Sequence, residues 1–164
     1  MDPADSGSKP GSAAEHPGPA TVRLSASIAE AITAHAEAGR PDEACGLIIG
    51  SAEPAAGGAA LRFEPCRNEA ASPVRFRIQG EDLYRVVVTA DDAGEALWAI
   101  VHSHVRSPAV PSATDVEMAS WWPSLLHVLV SLDPGQADPA TGRPSLRAWR
   151  IVEGAVFEVV VDLA

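Results

Sequence analysis

Two histidines, His102 and His104, are the residues of this chain whose type and spacing best suit metal binding. They flank Ser103 at the end of an apolar run, and residues two apart on an extended strand project from the same face. Seven residues later begins a Ser-x-x-Asp pattern, Ser112 to Asp115, which predicts a capped helix start. Two imidazoles and one carboxylate form a three-ligand zinc set that leaves a fourth tetrahedral position to water, as in catalytic sites. The stretch therefore predicts a catalytic zinc centre.

Hydrolysis at such a centre also needs a carboxylate that lies near the metal without binding it, to take a proton from water and deliver it to the leaving group. Glu43 is a candidate, in the segment PDEACG at 41–46, just before a predicted core strand. Spacing alone does not place Glu43 at the metal. Its neighbour Asp42 competes for the role, and a solvated surface carboxylate is the alternative interpretation.

The combined pattern resembles the JAMM/MPN metallopeptidase family, also called the Mov34 family, over roughly residues 24–161. The resemblance implies that His102, His104 and Asp115 bind one Zn²⁺ per chain. It also implies that Glu43 is the catalytic acid and base, and that Ser112 helps hold the oxyanion of the tetrahedral intermediate. The chain departs from the family pattern once, because Val105 stands where proline usually follows the second histidine. Valine keeps a backbone N–H and a less restricted φ, so we expect a looser exit from the ligand pair.

Within that family, the compact size and two stretches, 68–78 and 107–112, look most like the bacterial Mec-type members. That resemblance implies hydrolysis of the bond between the C-terminal Gly-Gly tail of a small ubiquitin-like sulfur-carrier protein and cysteine, which releases cysteine for cysteine biosynthesis. Two alternatives stay open: an isopeptidase that removes a ubiquitin-like modifier from protein lysines, and a non-catalytic scaffold of the same fold. The identity of the carrier and the oligomeric state are not determined by the sequence.

The elements that must position these residues follow from hydrophobic periodicity and turn signals. The pattern predicts an α+β fold, a mixed sheet flanked by two to three helices, and the resemblance implies JAB1/MPN-like, cytidine-deaminase-like layering. Predicted helices cover 24–40, 80–96 and 112–121, and predicted strands cover 44–51, 61–66, 74–78, 97–102, 126–132, 145–152 and 155–161. Residues 1–20, rich in Pro, Gly, Ser and Ala, are predicted to be a disordered tail, and residues 21–164 the metallopeptidase domain.

Several other residue types that could carry chemistry have simpler interpretations. Cys45 and Cys66 are predicted to be buried neutral thiols. The pair Trp121-Trp122 is predicted to pack in the core, with a substrate contact as the alternative. Arg75 and Arg77 are predicted to be solvated, with binding of an acidic or carboxylate-bearing partner tail as the alternative. Structural or surface roles are predicted for two further histidines, His35 and His127.

Composition excludes several function classes. The chain has 164 residues with 12 Lys and Arg against 22 Asp and Glu, a net charge of −10 that would repel a phosphate backbone. Its uncharged apolar runs are far shorter than the roughly 20 residues that a bilayer requires. With two cysteines and no signal-peptide pattern, the expected location is the cytoplasm. We therefore expect neither a nucleic-acid partner nor a membrane span.

Overall fold

A seven-stranded mixed sheet with three α-helices forms the computed structural model, which describes residues 18–164. The helices are α1 (Ala26–Ala38), α2 (Gly80–Asp92) and α3 (Ala113–Ala119). The strands are β1 (Thr21–Leu24), β2 (Cys45–Gly50), β3 (Ala60–Cys66), β4 (Ala96–His104), β5 (Leu126–Ser131), β6 (Ser145–Val152) and β7 (Ala155–Leu163). The predicted α+β class is confirmed. Most of the predicted tail, residues 1–17, lies outside the described residues.

The strand order is β1-β7-β6-β5-β4-β2-β3. Two neighbouring pairs, β1 with β7 and β4 with β5, are parallel, and the other neighbours are antiparallel. Strand β4 therefore lies in the interior of the sheet, and nearly all of it is buried. An interior strand makes ladder hydrogen bonds on both sides, so it is a rigid support for ligands at its end.

Side-chain alternation along the strands divides the core between the two faces of the sheet. On one face, α1 packs Ile28 and Ile32 against Ile48, Val101 and Val128. The opposite face carries the odd-numbered residues of β2 and, beyond a register shift near its start, the even-numbered residues of β4 from Ile100 onward. The core on this face contains Cys45, Leu47, Ile49 and Ile100 with Val86 and Ala90 of α2. His102 and His104 continue the even-numbered set of β4, so they belong to the α2 face.

The structure corrects two predicted elements. Residues 74–78 form no strand: the alternation is present, but Val74 is 75% exposed and a single bridge joins Ile78 to Asn68. Their backbone groups bond instead to the Asn68 side chain, which donates to the carbonyl of Arg75 and accepts from the N–H of Arg77. At the other end of the chain, the predicted first helix begins later than expected, because Leu24 belongs to β1 and Ser25 is the N-cap. Strand β1 has only four residues, too few for an alternating pattern to be distinguished from the helical pattern that follows.

No helix within residues 18–164 combines the length and apolar character needed to cross a membrane.

Candidate metal centre

His102, His104 and Asp115 converge at the carboxyl end of β4. The two Nε2 atoms are 3.1 Å apart, and they lie 3.3 Å and 3.4 Å from the two carboxylate oxygens of Asp115. All three side chains are buried, and each offers a ligand atom within 4.8 Å of the others. A tetrahedral zinc ion with Zn–N bonds of 2.0–2.1 Å separates two nitrogen ligands by about 3.3 Å, so the observed spacing fits that ion.

Strand β4 aligns the two histidines because it stays extended through Ser103. The Ser103 N–H donates to the carbonyl of Ala44, and the Ser103 hydroxyl oxygen accepts from the Ala44 N–H. The parallel ladder with β5 pairs His102 with Leu129 and His104 with Ser131. The sequence expectation that both imidazoles project from the same face is confirmed, and the observed strand is two residues longer at this end than predicted.

Helix α3 brings Asp115 to the histidines through a capping box. The Ser112 hydroxyl oxygen accepts from the Asp115 N–H at 3.2 Å, and Asp115 Oδ2 accepts from the Ser112 N–H at 2.7 Å. Burial raises the pKa of Asp115, but the two adjacent histidines and the hydrogen bond from the Ser112 N–H outweigh it and hold the pKa well below its usual range. The carboxylate is therefore ionised and fixed, as a metal ligand requires.

The second ring nitrogen of His104 sets its tautomer. Nδ1 lies 2.7 Å from the carbonyl oxygen of Pro108, which can only accept, so Nδ1 carries the proton and Nε2 presents its lone pair to the site. Burial lowers the pKa of His104, while Asp115 and the Pro108 carbonyl raise it, and the net shift is upward. For His102, which is fully buried, desolvation dominates and lowers the pKa.

The His102 ring is held by stacking rather than by a hydrogen bond on its outer nitrogen. Phe76 stacks on it with ring centroids 4.3 Å apart and an interplanar angle of 18°. Among the described residues, His102 Nδ1 has no hydrogen-bond partner. Phe76 also packs against the α2-face core, so it connects the ligand ring to that core.

Glu43 lies in the same groove as His104 and Asp115, and its backbone is fixed on both sides. Its N–H donates to the carbonyl of Ser72, and its carbonyl accepts from the Asn68 side chain, each at 2.9 Å. The side chain is 6% exposed. Burial raises the pKa of Glu43 to about 7, with Asp115 acting in the same direction and His104 opposing it. A carboxyl group with this pKa can accept and return a proton at neutral pH.

The groove has a volume of about 430 Å³ and contains the polar groups of the site on its walls. Glu43, His104, Ser112 and Asp115 line it together with the apolar side chains Val74, Phe76 and Met118. Helix α3 and the 67–79 segment, which runs from the end of β3 to α2, both contribute to the lining. The structure therefore brings together all five residues that the sequence analysis singled out.

The loop after the ligand pair, residues 105–111, is anchored although it begins with Val105. Val105 is buried, and three carbonyl oxygens of the loop accept hydrogen bonds from the sheet. The donors are Ser131 Oγ to Ser107, His104 Nδ1 to Pro108 and Trp149 Nε1 to Ala109, at 2.7, 2.7 and 2.9 Å. Side-chain donors from β4, β5 and β6 therefore hold this loop where the family usually has a proline.

Comparison with known proteins identifies the family. A family model described as prokaryotic homologs of the JAB domain matches residues 25–152. The chain belongs to this family. The predicted JAMM/MPN resemblance is thereby confirmed.

Among curated JAB-family relatives, a CysO-cysteine peptidase of Mycobacterium tuberculosis is 37% identical over 140 residues, which cover 85% of this chain and 89% of that protein. A desampylase of Haloferax volcanii is 31% identical over 146 residues, which cover 86% and 96%. A solution structure of a protein from Desulfitobacterium hafniense is 29% identical with a TM-score of 0.73, and the match covers 88% of this chain and 93% of that one. The likeness therefore extends over nearly the whole domain.

Of the remaining sequence predictions, the one for the cysteines is confirmed and the one for the tryptophans is wrong in part. Cys45 and Cys66 are buried free thiols, as expected, and burial raises the pKa of these groups to about 12 and about 11. Trp122 packs against the α2-face core, but Trp121 is 81% exposed, so its predicted core position is wrong. Helix α3 ends at Ala119, so Trp121 lies beyond the helix rather than on its packed face.

Sequence reasoning missed three residues that support the site: Asn68, Phe76 and Pro108. Asn68 holds the Glu43 backbone, Phe76 stacks on His102, and Pro108 fixes the tautomer of His104. None of them has a side chain typical of a metal site. Their contribution comes from the path of the 67–79 segment and of the 105–111 loop. An amide side chain in a segment that contains proline, as at Asn68, is the one local signal that could have indicated a turn held by its side chain.

Proposed function

We propose that this chain is a zinc-dependent cytoplasmic peptidase that hydrolyses the bond after the C-terminal Gly-Gly of a small ubiquitin-like sulfur carrier. The released amine would be cysteine, in cysteine biosynthesis. The observation that carries the proposal is the convergence of His102, His104 and Asp115 in one groove with Glu43, in a JAB-family chain. The similarity to a protein named CysO-cysteine peptidase supports this choice of substrate.

The donor set His102, His104 and Asp115 would hold the zinc ion, with one ion per chain. When bound, zinc polarises a carbonyl oxygen and lowers the pKa of a water ligand to about 7. Its two nitrogen ligands are preset, since β4 aligns the rings and Pro108 fixes the His104 tautomer. The capping box presents the Asp115 carboxylate without a change in the helix.

Glu43 would move the proton. Its carboxylate takes one proton from the attacking water as the new C–O bond forms, and it gives that proton to the amine nitrogen as the C–N bond breaks. The products are the carboxylate of the carrier tail and the free amine. The hydrogen bonds from Glu43 N–H to Ser72 and from Asn68 to the Glu43 carbonyl keep this side chain in the groove throughout.

Ser112 would stabilise the oxyanion. Its hydroxyl oxygen accepts the Asp115 N–H, which leaves the hydroxyl proton free to be donated into the groove. Removing a donor of this kind typically lowers kcat by about 10²–10³-fold. A glycine tail suits the groove because a larger side chain beside the ligands would meet Phe76 and Met118, which line it.

A second candidate function is an isopeptidase that removes a ubiquitin-like modifier from protein lysines. The similarity to a protein named desampylase, which covers 86% of this chain, favours it. A non-catalytic scaffold is disfavoured, because a scaffold has no use for a buried carboxylate aimed into the same groove as a complete ligand set.

The substitution Glu43→Gln tests the proton-transfer role. The variant should keep about one zinc per chain, measured by metal analysis, because Glu43 is not in the ligand set. Hydrolysis of a carrier–cysteine adduct, followed by mass spectrometry, should fall by about 10²–10⁴-fold, the usual contribution of a general acid and base.

Asp42→Asn is the matched control, since Asp42 is the adjacent carboxylate and does not line the groove. It should retain activity. Full activity in Glu43→Gln would remove Glu43 from the reaction, and an unchanged adduct with the zinc-loaded protein would overturn the proposed substrate.

A further inference from the structure

Two arginines, Arg75 and Arg106, lie on the wall of the catalytic groove. Arg75 belongs to the 67–79 segment and Arg106 to the 105–111 loop, and both side chains are exposed. They share the groove with Glu43 and Ser112. Two positive charges therefore stand beside the groups that would carry out hydrolysis.

Neither guanidinium has a hydrogen bond or an ion pair with any residue in 18–164, which sets the two apart from the other exposed arginines of that range. Those others bond to a carboxylate or to a backbone carbonyl; they are Arg23, Arg40, Arg67, Arg77, Arg85 and Arg143. The chain has ten more acidic than basic side chains, so acidic partners are plentiful. Unpaired guanidinium groups in such a chain, both in one groove, indicate an anionic ligand.

The backbone on which each arginine stands is fixed. The carbonyl of Arg75 accepts a hydrogen bond from Asn68 Nδ2 at 2.9 Å. The carbonyl of Ser107, the residue after Arg106, accepts one from Ser131 Oγ at 2.7 Å. A guanidinium presents paired N–H donors that match the two oxygens of a carboxylate. Because both loops are already ordered, binding the carboxylate would cost no free energy for ordering their backbone.

We infer that Arg75 and Arg106 bind the free α-carboxylate of the amino acid that leaves, an inference that rests on the proposed function. Hydrolysis of a carrier–cysteine adduct releases an amino acid whose carboxylate is two bonds from the departing nitrogen. That carboxylate must lie in the groove beside Glu43, which protonates the nitrogen. The groove volume of about 430 Å³ is in the range of small-ligand sites.

This carboxylate site separates the two candidate substrates. A lysine isopeptide within a protein has an alkyl chain at the departing nitrogen and no carboxylate nearby. Such a substrate would leave both guanidinium groups unpaired. The arginines therefore select a terminal amino acid over a modified protein.

The test uses two synthetic peptides that end in Gly-Gly-Cys and differ only in the terminus, one a free acid and one an amide. The zinc-loaded wild type should cleave the acid with a kcat/KM about 10- to 100-fold above that of the amide, the effect of a charge-assisted pair. Arg75→Gln and Arg106→Gln should each reduce this ratio, and the double variant should bring it to about 1.

Arg77→Gln is the control, because Arg77 lies two residues from Arg75 but is paired with Glu69 and does not line the groove. It should leave the ratio unchanged. Equal cleavage of both peptides by the wild type, or an unchanged ratio in the double variant, would overturn the inference and leave the proposed hydrolysis intact.

A binding measurement with the same two peptides distinguishes a failure of the inference from a failure of the proposed function. Calorimetry on zinc-loaded Glu43→Gln should show tighter binding of the acid than of the amide, and this difference should vanish when both arginines are also replaced. If the wild type cleaves neither peptide, the hydrolase proposal fails for these tails, and the calorimetry still decides: equal affinities for acid and amide overturn the carboxylate site.

Discussion

At the scale of single residues, burial sets the protonation of His127, which lies on the α2 face of the sheet. His127 on β5 is 4% exposed, and its Nε2 has no partner among the described residues. Desolvation lowers the pKa of His127 to about 4, with His102 acting in the same direction and Asp115 opposing it. In the folded protein at neutral pH this imidazole is therefore uncharged.

The His127 pKa predicts a loss of stability in acid. The unfolded chain binds a proton at His127 near pH 6.5 and the folded chain only near pH 4, so the free energy of unfolding falls as the pH drops through that window. The loss should approach about 3 kcal/mol. Urea unfolding of the wild type and His127→Leu at pH 7.5 and pH 4 measures it. The variant should lack this part of the acid loss, and parallel losses in the two proteins would contradict the assignment.

At the scale of elements, the start of α3 combines two tasks in Ser112. The hydroxyl oxygen caps the helix, and the same hydroxyl group faces the groove. A substitution that removes both tasks cannot show which one matters for hydrolysis. Glycine separates them, because it costs an N-cap only a few tenths of a kcal/mol, whereas alanine costs about 1 kcal/mol.

Ser112→Gly should therefore lower kcat by about 10²–10³-fold with little loss of stability. Ser112→Ala should lower kcat to a similar extent and also lower the free energy of unfolding by about 1 kcal/mol. Steady-state kinetics and chemical denaturation of the two variants provide the measurement. If Ser112→Gly kept full activity while Ser112→Ala did not, the serine would act only as a cap.

The extent to which this site could be predicted from sequence depends on how local each contact is. His102, His104, Ser112 and Asp115 lie within 14 residues, where strand alternation and helix capping determine the geometry. The contacts of Phe76 cross between segments far apart in sequence, and nothing in their residue types indicates which segments meet. The false strand at 74–78 has the same origin, because alternation indicates an extended chain but does not supply a partner strand.

At the scale of the whole molecule, the candidate metal centre lies at one end of a sheet that has a core on each face. The α1-face core contains none of the proposed ligands, and the α2-face core is closed by α2 and Trp122. Metal binding should therefore add to stability without being required for folding.

Removing the metal with a chelator should lower Tm by about 10 °C, since a ligand at a thousand times its Kd stabilises by about 4 kcal/mol, and each kcal/mol shifts Tm by about 2–4 °C at this size. Far-ultraviolet circular dichroism should be unchanged by chelation at 25 °C. Differential scanning calorimetry with and without zinc measures the shift. An unchanged Tm would argue against a bound ion, and loss of the dichroism signal would show that folding depends on it.

The parallel pairing of β1 with β7 makes the domain a candidate for circular permutation. Thr21 pairs with Val160, and Leu24 with Leu163, so a linker of about six residues could join the end of β7 to the start of β1. New chain ends could open at the exposed Glu153-Gly154 turn, where both residues have positive φ. This turn follows β6, and β5 lies between β6 and β4 in the sheet. New chain ends at the turn would therefore leave the groove accessible to a carrier protein.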